Sequence, residues 1–385
     1  MSGAGAEKMS GGRLLFIDNL RILLICLVIA THCSITYGGP GSWYFTDPGN
    51  GPGNPFVLIL LNGLDQAFFM GFFILVSAYF LPGSLSRKGP ARFARDRLVR
   101  LGIPLAVWIL LIAPFIAYIL AAGTGNTPAS VFGFWVSYFV PFQGLHLGPM
   151  WFVFFLLVAT FAYLAWNAFR PPAPPGGAEL RPFPAFPSIL ALGLLLGLVT
   201  AGVRVFLPIG YTWLFTLQPP FFAQYIAAFV IGIYAAHNHW LDDVPARTGK
   251  LCAAAAVILV VAEPVLLSVI LSSPGGLGAA MGGVHWQALL LALWEQTACV
   301  MIVTGLLWIF SARFNRQGPV TEAMAADTYT VYIIHPVVLI LLALAFAGIT
   351  IPSLAKFAIV LPLAIASSFL LAHLIRAVPG VKRVL

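Results

Sequence analysis

Arg21 and His32 stand eleven residues apart in the first long apolar stretch of the chain, FIDNLRILLICLVIATH. Eleven helical residues turn through roughly 1100°, about 20° from a whole number of turns, so both side chains share one helix face, some 16 Å apart along the axis. A charged group inside a hydrocarbon-spanning helix is costly and is by default a functional candidate. A cation at one end and a titratable imidazole at the other suggest a ligand lying along the helix. A neutral imidazole at His32 could take a proton from a hydroxyl as it attacks a thioester, which is general-base chemistry. Its alternative is a structural hydrogen bond to a neighbouring helix. Arg21 has a local alternative of its own, since Asp18 precedes it by three residues and can pair with it on the helix surface. Its guanidinium nevertheless suits a phosphate or a polarised carbonyl.

Three further groups carry polar chemistry at helical spacing. Asn62, Asp65 and Gln66 fall at i, i+3 and i+4 in the second apolar run, where Asp65 could orient the His32 imidazole or join helices by hydrogen bonds. Arg97 and Arg100 lie one turn apart before the third run, in RKGPARFARDRLVRLGIP; they could grip phosphates or simply fix topology. Thr328, Tyr332 and His335 share a face in DTYTVYIIHPVV, and Pro336 has no N–H for the Tyr332 carbonyl, which is left open to another partner. His335 either lines the same tunnel as His32 or makes a structural bond. Cys33, next to His32, could accept an acyl group but also reads as a small packing residue. Glu263 and Glu295 are intramembrane acids that spacing does not place.

The elements that must position these groups are membrane helices. Hydrophobic residues make up 60% of the 385 and charged residues only 8%, with a mean hydropathy of +0.96, far from the roughly one-quarter charged composition of soluble domains. Apolar runs predict ten spans, at 14–34, 56–81, 101–122, 149–169, 187–207, 218–238, 250–272, 286–311, 327–347 and 353–375. Residues 130–142 are too short to cross and read as an interfacial or re-entrant segment. The expected organisation is an all-α polytopic protein: a cytoplasmic tail over 1–13, a membrane domain over 14–375 and a cytoplasmic tail over 376–385. With the N-terminus inside, all but three of the 20 Lys and Arg residues fall on the cytoplasmic side, the exceptions being Arg21, Arg204 and Lys356. The net charge of +8 is therefore topogenic and gives no reason to expect nucleic acid. Asp18 and Arg21 interrupt what would be the core of a signal peptide.

The connection at residues 36–55 is rich in Gly and Pro and carries Trp43 and Tyr44, which could offer aromatic faces to a sugar or anchor the chain at the interface. RPPAPPGGAELRPFPAFP reads as a proline-rich linker. There is no internal repeat, P-loop, HExxH or GxSxG pattern, and no metal is expected.

Taken together, these motifs resemble acyltransferase family 3, integral-membrane enzymes that O-acylate extracytoplasmic sugars and some other acceptors. Arg21 and His32 match its Arg-x10-His signature, Arg97 and Arg100 its RxxR, and Thr328 to His335 its late SY..YL.H pattern with Thr in place of Ser. GPMWFVFFLL at 148–157 is similar to its Trp-Phe motif. The resemblance implies an acyl-CoA donor in the cytoplasm, acetyl-CoA or succinyl-CoA, held by Arg21, Arg97 and Arg100. It implies catalysis at His32 and His335 and a carbohydrate acceptor outside; beside these motifs, the spacing reading adds Asp65 to the catalytic candidates and Trp43, Tyr44 and Tyr332 to those near the acceptor. It also implies a bacterial inner-membrane location, and texture close to FFMGFFILVSAYF is similar to the glucan-succinylating branch. Oligomerisation or assembly with envelope-glycan proteins is left open. The alternative function is a transporter or flippase of an envelope glycan or lipid-linked precursor, although paired broken helices and repeats, common in transporters, are not found.

Overall fold

Every backbone polar group in hydrocarbon needs a partner within the protein, so a chain this apolar must satisfy its peptide groups in helices. The computed structural model describes residues 14–47, 56–126, 130–139, 147–169, 179–214 and 217–385. Among them, ten helical segments are long and apolar enough to cross a membrane, and no strand occurs.

The first is α1 (Leu15–Thr36). The second is α2 (Phe56–Tyr79), which runs on into α3 (Leu81–Lys88). Gly89, in the left-handed region at φ 70°, ends α3 and lets Pro90 start α4 (Pro90–Arg97). The third span is longer than the sequence suggests. It begins at Pro90 rather than at 101 and continues through a π-turn at Leu98–Gly102, α5 (Ile103–Val107), a second π-turn at Trp108–Ile112 and α6 (Ala113–Gly123). Arg97 and Arg100 therefore sit on a helix and not in a loop. The π-turns accompany Pro104 and Pro114, whose missing N–H groups break the regular ladder.

The short α7 (Val131–Phe139) is an exposed aromatic helix, in keeping with an interfacial segment; residues 140–142 of that expectation lie outside the described residues. Then follow α8 (Trp151–Phe169), α9 (Phe186–Phe206), α10 (Phe222–His237), α11 (Ala246–Ser272), the single turn α12 (Gly276–Ala280), α13 (Trp286–Arg313), α14 (Pro319–Phe346) and α15 (Ser353–Ala377). α14 starts eight residues before its expected limit, because Pro319 suits the first helical turn and nothing breaks the helix before Asp327. The expected tail residue Arg376 is likewise the penultimate residue of α15.

α1 is packed by α2, α13, α14 and α15, and α2 in turn by α10 and α13. α9 and α13 approach closely through Gly193 and Gly197: a Cβ there would lie 2.9 Å from the Thr297 Cα and 2.8 Å from the Leu293 Cα. Small residues four apart bring backbones together where lipid supplies no hydrophobic drive. Side-chain bonds tie α1 to its neighbours at both ends. Asn19, in the first turns of α1, donates to the Phe314 and Arg316 carbonyls between α13 and α14. At the other side, Lys356 of α15 reaches Asp47 after α1.

Glu295, which sequence spacing does not place, meets Arg204, an exception to the charge pattern, in the bundle interior. Arg204 of α9, fully buried, makes a two-pronged pair with Glu295 of α13 at 2.7 and 3.0 Å, and its guanidinium also lies 5.1 Å from the Phe221 ring centroid. Breaking such a pair leaves a naked buried charge, at about 3–5 kcal/mol, whereas removing both partners is often nearly neutral. Arg204→Met should therefore lower the thermal unfolding midpoint in detergent sharply. Arg204→Met/Glu295→Met should recover most of the loss, and equal destabilisation by both variants would contradict this account.

Candidate functional site

Successive residues on a helix point about 100° apart, so Thr31 and His32 address different neighbours. Thr31 faces α2 and donates to Asp65 Oδ2 at 2.9 Å. His32 faces α14, where its Nδ1 lies 3.0 Å from His335 Nε2. Asp65, read from the sequence either as orienting the imidazole or as joining helices, bonds the residue beside it, and the hydrogen-bond partner of the His32 ring is His335. No spacing rule could pair two residues 303 positions apart.

The order of protons in this pair follows from its far end. His335 Nδ1 is 2.8 Å from the Tyr332 carbonyl, the carbonyl left without a helical donor by Pro336. A carbonyl only accepts, so His335 Nδ1 carries the proton and the Nε2 of the neutral ring accepts. His32 Nδ1 must then donate to it. The remaining ring nitrogen, His32 Nε2, holds the lone pair, which is the form a general base requires.

Trp43 lies flat on the His32 ring, with centroids 3.9 Å apart and planes 18° apart. Tyr44 meets Trp43 edge-on at 5.0 Å and packs beside Gly148, where a Cβ would collide with its hydroxyl. Burial raises the Tyr44 phenol well above its usual range, so it is a neutral hydrogen-bonding group. The Trp43 indole N–H and the Tyr44 hydroxyl are buried without a hydrogen-bond partner among the described residues. Such orphaned donors call for an outside acceptor. The loop that carries them is pinned by three contacts: Asn62 donates to the Pro40 carbonyl at 2.7 Å, the Asp47 N–H to the Thr36 carbonyl at 2.7 Å, and Lys356 Nζ to Asp47 Oδ2 at 2.6 Å.

Tyr332, expected near the acceptor, makes contacts within the protein. Its hydroxyl donates to the Pro149 carbonyl and its ring packs against Phe152, so it fixes the start of α8 to α14. Three residues earlier on the same helix, the Tyr329 hydroxyl donates to the Arg100 carbonyl at 2.8 Å. α14 thus registers the basic helix against the histidine pair; about 9 Å of helix separates Tyr329 from His335. Arg97 stacks over Phe93 at 5.1 Å, and Arg100 is exposed. Arg21 keeps 39% of its side chain exposed and lies 3.6 Å from Asp18, a loose surface pair worth little on its own. Cys33 is fully buried in the core, as a packing residue would be. Gln66 donates to the Tyr225 hydroxyl at 3.3 Å. Among the described residues, no group of three or more His, Cys, Asp or Glu side chains could hold a metal ion.

Residues 14–373 match the family model of acyltransferase family 3, described as an acyltransferase domain. No curated protein and no solved structure matches the chain.

The Lys356–Asp47 pair is the most buried of the loop's anchors, with Lys356 only 2% exposed at its side chain. Lys356→Met should raise amide hydrogen exchange over residues 38–47 by about tenfold, the equivalent of ~1.4 kcal/mol of lost local stability. Unchanged protection in that variant would mean the loop is held by Asn62 and its backbone bonds without the ion pair.

Proposed function

The chain belongs to acyltransferase family 3, and on that premise we propose that it moves an acyl group, acetyl or succinyl, from a cytoplasmic acyl-CoA to a hydroxyl of a glycan on the other side of a bacterial inner membrane. The observation that carries this reading is the hydrogen-bonded series from the Tyr332 carbonyl through His335 to His32. It leaves an unprotonated nitrogen on a partly buried ring near the end of α1, beside two donors without a partner among the described residues.

In this reading the donor's phosphates sit against Arg97 and Arg100, and Arg21 contacts the pantetheine arm or its carbonyl. The ~16 Å from Arg21 to His32 is about the length of that arm, so the thioester reaches His32 while the nucleotide stays at the basic side. The acceptor hydroxyl gives its proton to His32 Nε2 as its oxygen attacks the thioester carbon. The tetrahedral oxyanion collapses with loss of the CoA thiolate, which takes the proton back from His32, so acyl group and proton both balance. Trp43 and Tyr44 face the acceptor, with their N–H and O–H able to bond its oxygens. Asp65 acts through Thr31, by keeping α1 in register with α2.

Membrane vesicles given radiolabelled acetyl-CoA or succinyl-CoA test the reading directly. The wild-type protein should release free CoA and label a glycan fraction. His32→Ala should insert normally and lose at least 100-fold in rate, in line with the ~10²–10⁴ contributed by general acid–base catalysis. His335→Ala should retain part of the activity, since it disturbs the tautomer of the base but not the base itself. Movement of a lipid-linked sugar with no release of CoA would favour a transporter instead.

The donor site makes a separate expectation. Arg97→Gln/Arg100→Gln should raise the KM for acyl-CoA about tenfold or more with kcat little changed, because phosphate contacts far from the reacting carbonyl bind substrate and transition state alike. Cysteine-accessibility labelling should give the wild-type orientation. If it reports an inverted or mixed orientation, the two arginines set topology and the donor assignment fails.

A further inference from the structure

The proposed reaction puts a positive charge on His32 at its slowest moment, and the surroundings give that charge little water. The ionisable groups on the elements around it are few. His335 and Tyr332 lie on α14, and His335 offers only a neutral lone pair to His32 Nδ1. Asp65 on α2 is turned to Thr31, and Glu263 on α11, buried, lies against Gly63 of α2. Glu295 on α13 is matched by Arg204, and Lys356 on α15 by Asp47. Tyr44, in the loop, is a neutral phenol. No carboxylate contacts the His32 ring among the described residues, in contrast to hydrolase triads, where an aspartate stabilises the imidazolium.

One group does lie against the whole ring. The Trp43 indole is stacked on His32 at 3.9 Å and 18°, which places the electron-rich face of the best cation–π side chain directly over the atoms that become cationic. We propose that Trp43 is a positioning residue that stabilises the His32 imidazolium by cation–π stacking, in place of the carboxylate that this site lacks. The proposal rests on the reading of His32 as the general base and adds the source of its charge stabilisation. The loop anchors Pro40 and Asp47 bracket Trp43 in sequence, so the stack is held from both sides before any substrate arrives. Protonation then needs no rearrangement: the same face contact that packs the neutral ring becomes attractive to the charged one.

The test reads His32 itself and needs neither donor nor acceptor. Protein labelled at histidine with 13C and 15N, in lipid nanodiscs, is titrated by NMR, with the His32 signal assigned by its loss in His32→Gln. Trp43 is replaced through nonsense suppression by mono-, di- and trifluorotryptophan, which keep the shape of the ring but withdraw electron density from its face. Trp43→Leu completes the series. A cation–π contact of ~0.5–2 kcal/mol corresponds to roughly 0.4–1.5 pH units. The His32 pKa should fall stepwise with each added fluorine, by up to about one unit, with ring-current shifts showing the stack intact. A His32 that titrates at one pH throughout the fluorinated series, or that titrates in none of these proteins, overturns the proposal. That result would leave the general-base reading to stand or fall on the His32→Ala rate. A stepwise shift in a protein whose His32→Ala variant stays active would keep the stack and remove the reading.

Discussion

In hydrocarbon, a backbone carbonyl without a donor costs several kcal/mol, and prolines inside the spans create that problem here, Pro264 and Pro362 among them. Pro104, Pro114 and Pro336 each lack the N–H that would serve the carbonyl four residues before. At these three a side chain supplies the bond, from another helix in the first two cases and from the same helix in the third. Tyr329 of α14 donates to the Arg100 carbonyl, Trp135 of α7 to the Leu110 carbonyl, and His335 to the Tyr332 carbonyl. These substitutions are the joints of the molecule. The first locks the basic helix to α14, the second holds the exposed aromatic helix α7 against the third span, and the third fixes which nitrogen of His335 bears the proton. A regular ladder would have kept those carbonyls for its own helix and left the three contacts unformed.

Charge inside the bundle is handled in two ways, and the difference separates scaffold from site. Arg204 with Glu295 and Arg376 with Asp327 are cation–carboxylate pairs at 2.6–3.0 Å, and Asp327 is also met by His373 at 3.0 Å. Around His32, by contrast, polarity is supplied by neutral groups: two imidazoles, an indole, a phenol and peptide carbonyls. Neutral donors and acceptors cost less to bury than ions and leave the charge state of the pair free to change during a reaction.

Much of this was legible in the residues. Composition and hydropathy alone place ten spans, since a ~30 Å core demands some 20 apolar residues and the chain supplies ten such runs. The open Tyr332 carbonyl follows from Pro336 by covalent chemistry. Helix limits were less legible: α14 reaches back to Pro319 and the third span to Pro90, because charged and polar residues at the basic end continue a helix without adding hydropathy. The pairing of His32 with His335, and of Asp65 with Thr31, was out of reach because it depends on how α1 rotates between α2 and α14. Helical periodicity sorts residues into faces of one helix but says nothing about which face meets which neighbour.

That His32 finds its partner 303 residues further along also sets the order of events during synthesis. At roughly 5–20 residues per second, His335 emerges some 15–60 s after His32, and Lys356, which anchors the loop bearing Trp43, later still. Through that interval α1 must wait in the bilayer with an imidazole, a guanidinium and the Asp18 carboxylate but without α13, α14 or α15 around them. An early span is thus enclosed late, and the site comes into being only when the closing helices arrive.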